Sequence, residues 1–376
     1  MSKKLLSLYL PHMYGNGLDR VVLNLAKSFV EFGFNVDLVT PEVSEYQRQA
    51  TQSLPGQVRN VGLGLPVTKS IFFKKIIKLS QYLKEAKPAI FLANNDYIGV
   101  SNLAKLISGS STKVVEGVHI NVSRYFGNLS GLRGAVRPFL LKQAYRNSDG
   151  IIAVSQGVAD DIAQLLNIPV EQIKVIYNPV VTPDLQLKAS EPINHSWFTA
   201  DEPPVILGAG RLMHQKGYPT LIRAFAQVRK QQHCRLVIIG NETPFKAELE
   251  ALAQNLGVAE DLSIPGFQEN PYAYMSKAAV FVMSSEYEGF GNVLVEAMAT
   301  GTPVISTDCE SGPAEILEHG RYGKLVPVGN ESKLAEAILA TLANPIGSQT
   351  LQQRAQDFTT EAIAQDYLTY FEKLIN

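Results

Sequence analysis

The chain has 376 residues, 45% of them apolar, with 34 Lys+Arg against 35 Asp+Glu and only two cysteines. That length and apolar content allow two domains of ordinary size, each with its own core. Cys234 and Cys309 lie far apart without metal-ligand spacing, which excludes a disulfide framework and fits a reducing compartment. No apolar run approaches the ~18 residues of a membrane span.

The near-neutral balance hides an asymmetry. Residues 1–183 hold 20 Lys+Arg and 12 Asp+Glu, a balance of +8, and residues 184–376 hold 14 and 23, a balance of −9. An anionic partner of the N-terminal half, such as a membrane surface or a diphosphate-carrying lipid, would account for this. Ordinary amphipathic helices with solvated lysines would account for it as well. No nucleic-acid-binding motif accompanies the charge.

In chain order, the six-residue apolar run at 5–10 is cut short by Pro11 and reads as a first strand rather than a signal-peptide core. The glycine-containing loop YGNGLDRVVLNLA (14–26) follows it and opens a helix. Alone this loop is a weak signal, because many α/β proteins have a glycine turn there. Further β-rich runs lie at 34–40, 89–94, 113–119, 150–155 and 173–179. The basic segments 67–87 and 124–146 fall between them. His119 ends the 113–119 run, where a strand's carboxyl end faces a ligand or a plain structural neighbour. The Pro-, Asp- and Ser-rich stretch 184–203 breaks the rhythm and reads as a linker.

After the linker come strand-like runs at 205–210, 235–240, 279–285, 303–308 and 323–328. Continuous apolar strands alternating with helices predict parallel sheets covered on both faces, hence an α/β chain of two doubly wound domains. Such domains bind ligands at the carboxyl ends of their strands. Arg211 and Lys216 directly follow the 205–210 run and precede a helix, which suits a diphosphate. In SSEYEGFGNVLVEAMATGTPVIST (284–307), Glu288 sits in a Gly-rich strand-to-helix loop and Glu296 about two turns further on, inside the helix. Two such carboxylates fit a glycosidase pair, or acceptors for sugar hydroxyls; the second fits better beside phosphate-binding elements. The run 358–375 has helical spacing.

These residues resemble the retaining glycosyltransferases of family 4, which have the GT-B fold. The likeness covers nearly the whole chain. Its most specific parts are GRLMHQKGYPTLIRAF and SSEYEGFGNVLVEAMATGTPVISTDCESGPAEI, with the E-x7-E signature at Glu288 and Glu296 and a Gly-Pro-x-Glu element from Gly312 to Glu315.

The resemblance implies an N-terminal acceptor-binding domain over 1–183 and a nucleotide-sugar-binding domain over 204–357. It also implies a last helix, 358–376, that crosses back to the first domain. Arg211 and Lys216 would hold the donor diphosphate, and Glu288 the donor sugar. Backbone amides around Phe290, Gly291 and Asn292 would touch sugar or phosphate, and Glu296 the ribose. Gly17 would meet the donor phosphates and His119 the donor sugar. The family's loop is often Gly-Gly, a small residue and Glu; here it is Asn16-Gly17-Leu18-Asp19, which leaves the role of Asn16 open.

The implied reaction moves a hexose or N-acetylhexosamine from a nucleoside diphosphate sugar to a hydroxyl, with retention. UDP-glucose or a UDP-N-acetylhexosamine is the favoured donor. The expected acceptor is a glycan or lipid-linked glycan of cell-surface polysaccharide or glycolipid synthesis. No metal or other cofactor is expected. The expected location is the cytoplasm, with the basic half suited to the inner face of the plasma membrane. Two rival readings are a non-catalytic sugar-nucleotide-binding protein and a hydrolase using Glu288 and Glu296. A nucleotide-dependent oxidoreductase is disfavoured, since the first turn lacks a full G-x-G-x-x-G.

Overall fold

The computed structural model describes residues 4–52, 54–66, 72–96, 99–127, 139, 141–199, 201–241 and 243–376. Positions 67–71, 128–138 and 140 of the two basic segments lie outside the described residues.

The chain forms two compact units, Met1–Pro179 with Thr360–Asn376, and Val180–Thr359. The first holds β1 (Leu5–Tyr9), β2 (Asn35–Thr40), β3 (Val58–Gly62), β4 (Ile90–Asn94), β5 (Lys113–Val118), β6 (Gly150–Ala153) and β7 (Ile173–Val175). Their order is β3-β2-β1-β4-β5-β6-β7, and every pair is parallel. The second holds β8 (Val205–Ala209), β9 (Arg235–Ile239), β10 (Leu262–Gly266), β11 (Val280–Met283), β12 (Val304–Thr307) and β13 (Lys324–Val326). These run β10-β9-β8-β11-β12-β13, again all parallel.

Alternation along the strands divides the first core between two faces. Leu6, Leu8, Ile90, Leu92 and Val115 join one cluster, while their neighbours Tyr9, Phe91, Ala93 and Val114 join the other. Both faces are covered by helices, so the central strands are mostly apolar, with Ser7, Asn94 and Glu116 as buried polar exceptions. The helix Thr360–Ile375 belongs to the first unit. Its Ile363, Tyr367, Leu368 and Phe371 enter the first of those clusters, with the Phe29 ring 6.3 Å from Tyr367 and 6.0 Å from Phe371.

Two expectations need correction. The stretch 184–203 is not a linker but part of the second unit, and the chain passes between units at 179–180 and 359–360 rather than near 183 and 357. Leu185 and Ala189 of the short helix Leu185–Ala189 are buried, and Gln186 Nε2 donates to Ala299 O at 2.6 Å. Arg235 lies over the Trp197 ring at 4.6 Å. A few single anchors hold this stretch down, without the periodicity that marks a helix or strand in sequence. In addition, β3 and β10 were not anticipated as strands. Each is an edge strand, partly exposed and broken by polar residues or Pro265, so neither shows an apolar run.

Both sheets reverse their winding once, between β1 and β4 and between β8 and β11. Loops leaving the two strands at a reversal diverge to opposite faces and leave a crevice at the carboxyl ends. These two places position the candidate residues.

Candidate functional site

In the second unit, the β8 and β11 loops flank the reversal, and they are stitched together. Gly217 closes the β8 loop with φ +62°, and a Cβ there would stand 2.0 Å from Ser284 O. Only glycine lets the 214–217 turn rest on the end of β11. Ser284 Oγ donates to Lys216 O at 2.8 Å, Gln215 Nε2 to Tyr287 O at 2.9 Å, and Glu286 N to Gln215 O at 2.8 Å.

This stitching brings Lys216 and Glu288 together. Lys216 Nζ is 2.6 Å from Glu288 Oε1, and Ser285 Oγ donates to the same oxygen at 2.7 Å. The two charged side chains are only 16% and 10% exposed, so their attraction is screened far less than that of a surface pair. Ser285 is itself held by Thr307 of β12, whose Oγ1 donates to Ser285 O at 2.6 Å.

The Glu288 charge is felt nearby. Burial pushes the Cys309 thiol up to about 12 and raises the Tyr218 phenol, and the carboxylate adds to both. Among the described residues the buried Tyr218 hydroxyl has no hydrogen-bond partner. Arg211, in contrast to Lys216, is exposed and makes no ion pair among the described residues. The site therefore offers one open guanidinium and one ammonium already shared with a carboxylate.

Gly291 (φ +107°) caps the helix Asn292–Ala299, and a Cβ on Gly312 (φ +100°) would stand 2.0 Å from Phe290 O. The Gly312–Glu315 element thus packs directly on the Phe290 backbone. The Phe290 ring is buried and lies 5.7 Å from the Phe358 ring, so any ligand role falls to its main chain. Asn292 is half-buried at the helix start, and Glu296 is buried one turn further along.

In the first unit, the loop after β1 is shaped by a reciprocal cap. Asn16 Oδ1 accepts from the N–H of Leu18 at 2.8 Å and of Asp19 at 3.2 Å. Asp19 Oδ2 accepts from the N–H of Tyr14, Gly15 and Asn16 at 2.8, 2.6 and 3.0 Å. This is a capping box, and it answers the open question about Asn16: its side chain is the N-cap of the helix Gly17–Glu31. The glycine with positive φ is Gly15 (+93°), while Gly17 is the first helical residue.

His119 directly follows β5, with Nε2 2.9 Å from Asn94 Oδ1 and its N–H donating to Asn95 Oδ1 at 3.3 Å. Asn94 in turn donates to Tyr9 O at 3.2 Å. Burial lowers the imidazole to about 4, with the Asn178 side chain opposing, so it is neutral at physiological pH.

Sequence reasoning missed Ser285, Tyr218, Asn94 and Asp19. Asp19 alone had a readable signal, the N-x-x-D spacing of a cap before an apolar helix. Among the described residues, no group of three or more His, Cys, Asp or Glu side chains is placed to hold a metal ion, and no helix is long and apolar enough to cross a membrane.

Comparison with known proteins assigns the family. A model described as Glycosyltransferase Family 4 matches residues 15–183, and one described as Glycosyl transferases group 1 matches residues 190–358. Over 300 residues the chain is 31% identical to the N-acetylgalactosamine-N,N'-diacetylbacillosaminyl-diphospho-undecaprenol 4-alpha-N-acetylgalactosaminyltransferase of Campylobacter jejuni, covering 79% of each protein. A glycosyltransferase from Rickettsia africae superposes with a TM-score of 0.80 at 16% identity over 100% of both chains. Anabaena Alr3699/HepE in complex with UDP gives a TM-score of 0.79 at 22% identity, over 98% of this chain and 100% of that one. The chain belongs to the family 4, group 1 glycosyltransferases and has their GT-B pair of Rossmann-like domains.

Proposed function

We propose that this glycosyltransferase moves a hexose or N-acetylhexosamine from a UDP-sugar to a hydroxyl of a glycan or lipid-linked glycan, with retention of configuration and without a metal ion. UDP-glucose and UDP-N-acetylhexosamines are the preferred donors, and the inner face of the plasma membrane is the working location. The observation that carries the reading is the Lys216–Glu288 pair, 2.6 Å apart, beside the open Arg211 at the β8/β11 reversal. A cation pair with one member free suits a diphosphate, and a carboxylate anchored through one oxygen suits sugar hydroxyls. The name of the Campylobacter relative describes transfer onto a diphospho-undecaprenol-linked glycan, and Anabaena HepE was solved with UDP-glucose.

In the reaction, the bond between the anomeric carbon and the phosphate oxygen breaks, and negative charge gathers on the departing UDP. Arg211 and Lys216 are the groups for that charge. The acceptor oxygen attacks from the face the phosphate leaves, and its proton passes to the leaving phosphate. Glu288, charge-compensated by Lys216, orients the sugar rather than attacking it. Glu296 receives the ribose hydroxyls, and the main chain at Phe290, Gly291 and Asn292 lies against sugar or phosphate. In the first unit, neutral His119 is a hydrogen-bonding group for a sugar hydroxyl, and the main chain at Gly17 faces the donor phosphates in a loop whose shape the Asn16 cap sets.

UDP release from UDP-sugars, measured with and without an acceptor pool, tests this. Release that requires acceptor is expected, and Arg211→Ala should lower kcat/KM by about two to three orders of magnitude. Equal release of free sugar without acceptor would mean a hydrolase. UDP binding with no turnover on any pool would mean a binding protein.

A further inference from the structure

The helices Phe72–Ala86 and Val100–Ser108 pack side by side on one face of the first sheet. Their inward residues, Ile76, Leu79, Leu83, Val100 and Ala104, are core. Their outward residues are also apolar. Phe73 is 77% and Ile77 54% exposed on one helix, and Leu106 is 79% and Ile107 63% exposed on the other. Five large apolar side chains, counting Leu103, thus face water on two adjacent helices. Scattered single exposures are ordinary, but a group of this kind marks an interaction surface.

Charge decides the partner. Lys74 and Lys78 are exposed among these apolar residues and make no ion pair among the described residues. Lys84 is exposed on the same helix, where Glu85 is the one exposed acid. The other nearby lysines turn inward. Lys75 is half-buried, with burial lowering its ammonium and Asp96 opposing, and Lys105 is paired with Asp149. A second copy of this chain on the same face would set Lys74 and Lys78 against their own counterparts, which is repulsive. An anionic lipid surface offers what the face lacks, acyl chains for the apolar groups and phosphates for the ammoniums.

We propose that the outer face of these two helices docks on an anionic bilayer, Phe73, Ile77, Leu106 and Ile107 entering the acyl boundary and Lys74 and Lys78 meeting lipid phosphates. The proposed lipid-linked acceptor gives this contact its purpose, and the contact itself is independent of turnover.

Flotation with phosphatidylcholine vesicles, and with equimolar phosphatidylcholine and phosphatidylglycerol, tests it. The full chain should float with the anionic vesicles and stay behind with the neutral ones. Replacing both lysines (Lys74→Gln with Lys78→Gln) should weaken partitioning roughly thirtyfold, since each lysine near an anionic surface is worth about 1 kcal/mol. Leu106→Ser with Ile107→Ser should weaken it about tenfold and leave less salt-resistant binding. Unchanged thermal stabilisation by UDP in both variants would show that they are folded. Equal binding to both vesicle types, or no change in either double variant, overturns the proposal. So does a stable dimer that the Leu106→Ser, Ile107→Ser pair dissociates. Loss of UDP-sugar turnover alone would count against the transfer reading and leave this one standing.

Discussion

Lys216 Nζ and Glu288 Oε1 lie 2.6 Å apart although their residues are 72 positions apart in sequence. Each comes from a loop at the carboxyl end of a strand beside the sheet reversal, and each is mostly shielded from water. Removing Lys216 alone leaves a partly buried carboxylate without its counter-charge. Lys216→Met should therefore lower stability by about 1–3 kcal/mol, and Glu288→Gln by less, because the amide still accepts from Ser285. Chemical denaturation of both single variants and the double should show a double cost smaller than the sum of the singles.

Gly217 is the hinge on which this contact depends. Gly217→Ala must place a methyl 2.0 Å from Ser284 O in a left-handed conformation. The expected cost is about 2–4 kcal/mol, with loss of UDP binding as the loop lifts. Gly33→Ala is the control, with a φ of +92° but nothing within 4 Å of the added Cβ. It should cost only the backbone strain and keep UDP binding.

Much of this was legible in sequence, and the failures have physical causes. The buried strands β1, β4, β8 and β11 read as apolar runs because both of their faces are covered. β3 and β10 did not, because an edge strand needs no such run. Glu288 and Lys216 could each be singled out from their loops, but their salt bridge could not, since it depends on Gly217 fitting against Ser284. Arg211 and Lys216 looked equivalent in sequence; the structure separates them into one open and one paired cation. The resemblance left the role of Asn16 open, and its side chain caps a helix.

Asp19 should matter more than a surface acid does. Its carboxylate holds three consecutive amides, Tyr14 to Asn16, in the loop after β1. Asp19→Ala should cost about 1–3 kcal/mol and expose those amides to rapid hydrogen exchange. Asp19→Asn should lie between the two, keeping an acceptor without the charge.

Two buried groups in the first unit give pH dependences of opposite sign. His119 is depressed to about 4 from 6.5, so the unfolded chain takes up a proton first. Its contribution is complete above pH 6.5 and is lost as pH falls toward about 4, up to ~3 kcal/mol. His119→Gln should flatten that acid limb in urea titrations. Glu116 is raised well above 4.5 by burial first and Asp96 second, while Asn102 donates to it and opposes. Its contribution is complete below pH 4.5 and is lost as pH rises through its raised value. Glu116→Gln should therefore be more stable than the parent at neutral pH and above.

In the proposed reaction the 210–217 turn and the 284–296 segment hold a UDP-sugar. Calorimetric titration with UDP, GDP and ADP, for the parent chain and for Arg211→Ala, tests it most directly. UDP should bind saturably, GDP and ADP much more weakly, and the variant should lose UDP affinity while still melting as a folded protein. Equal affinity for all three nucleotides, binding of GDP alone, or UDP affinity untouched by Arg211→Ala would contradict it.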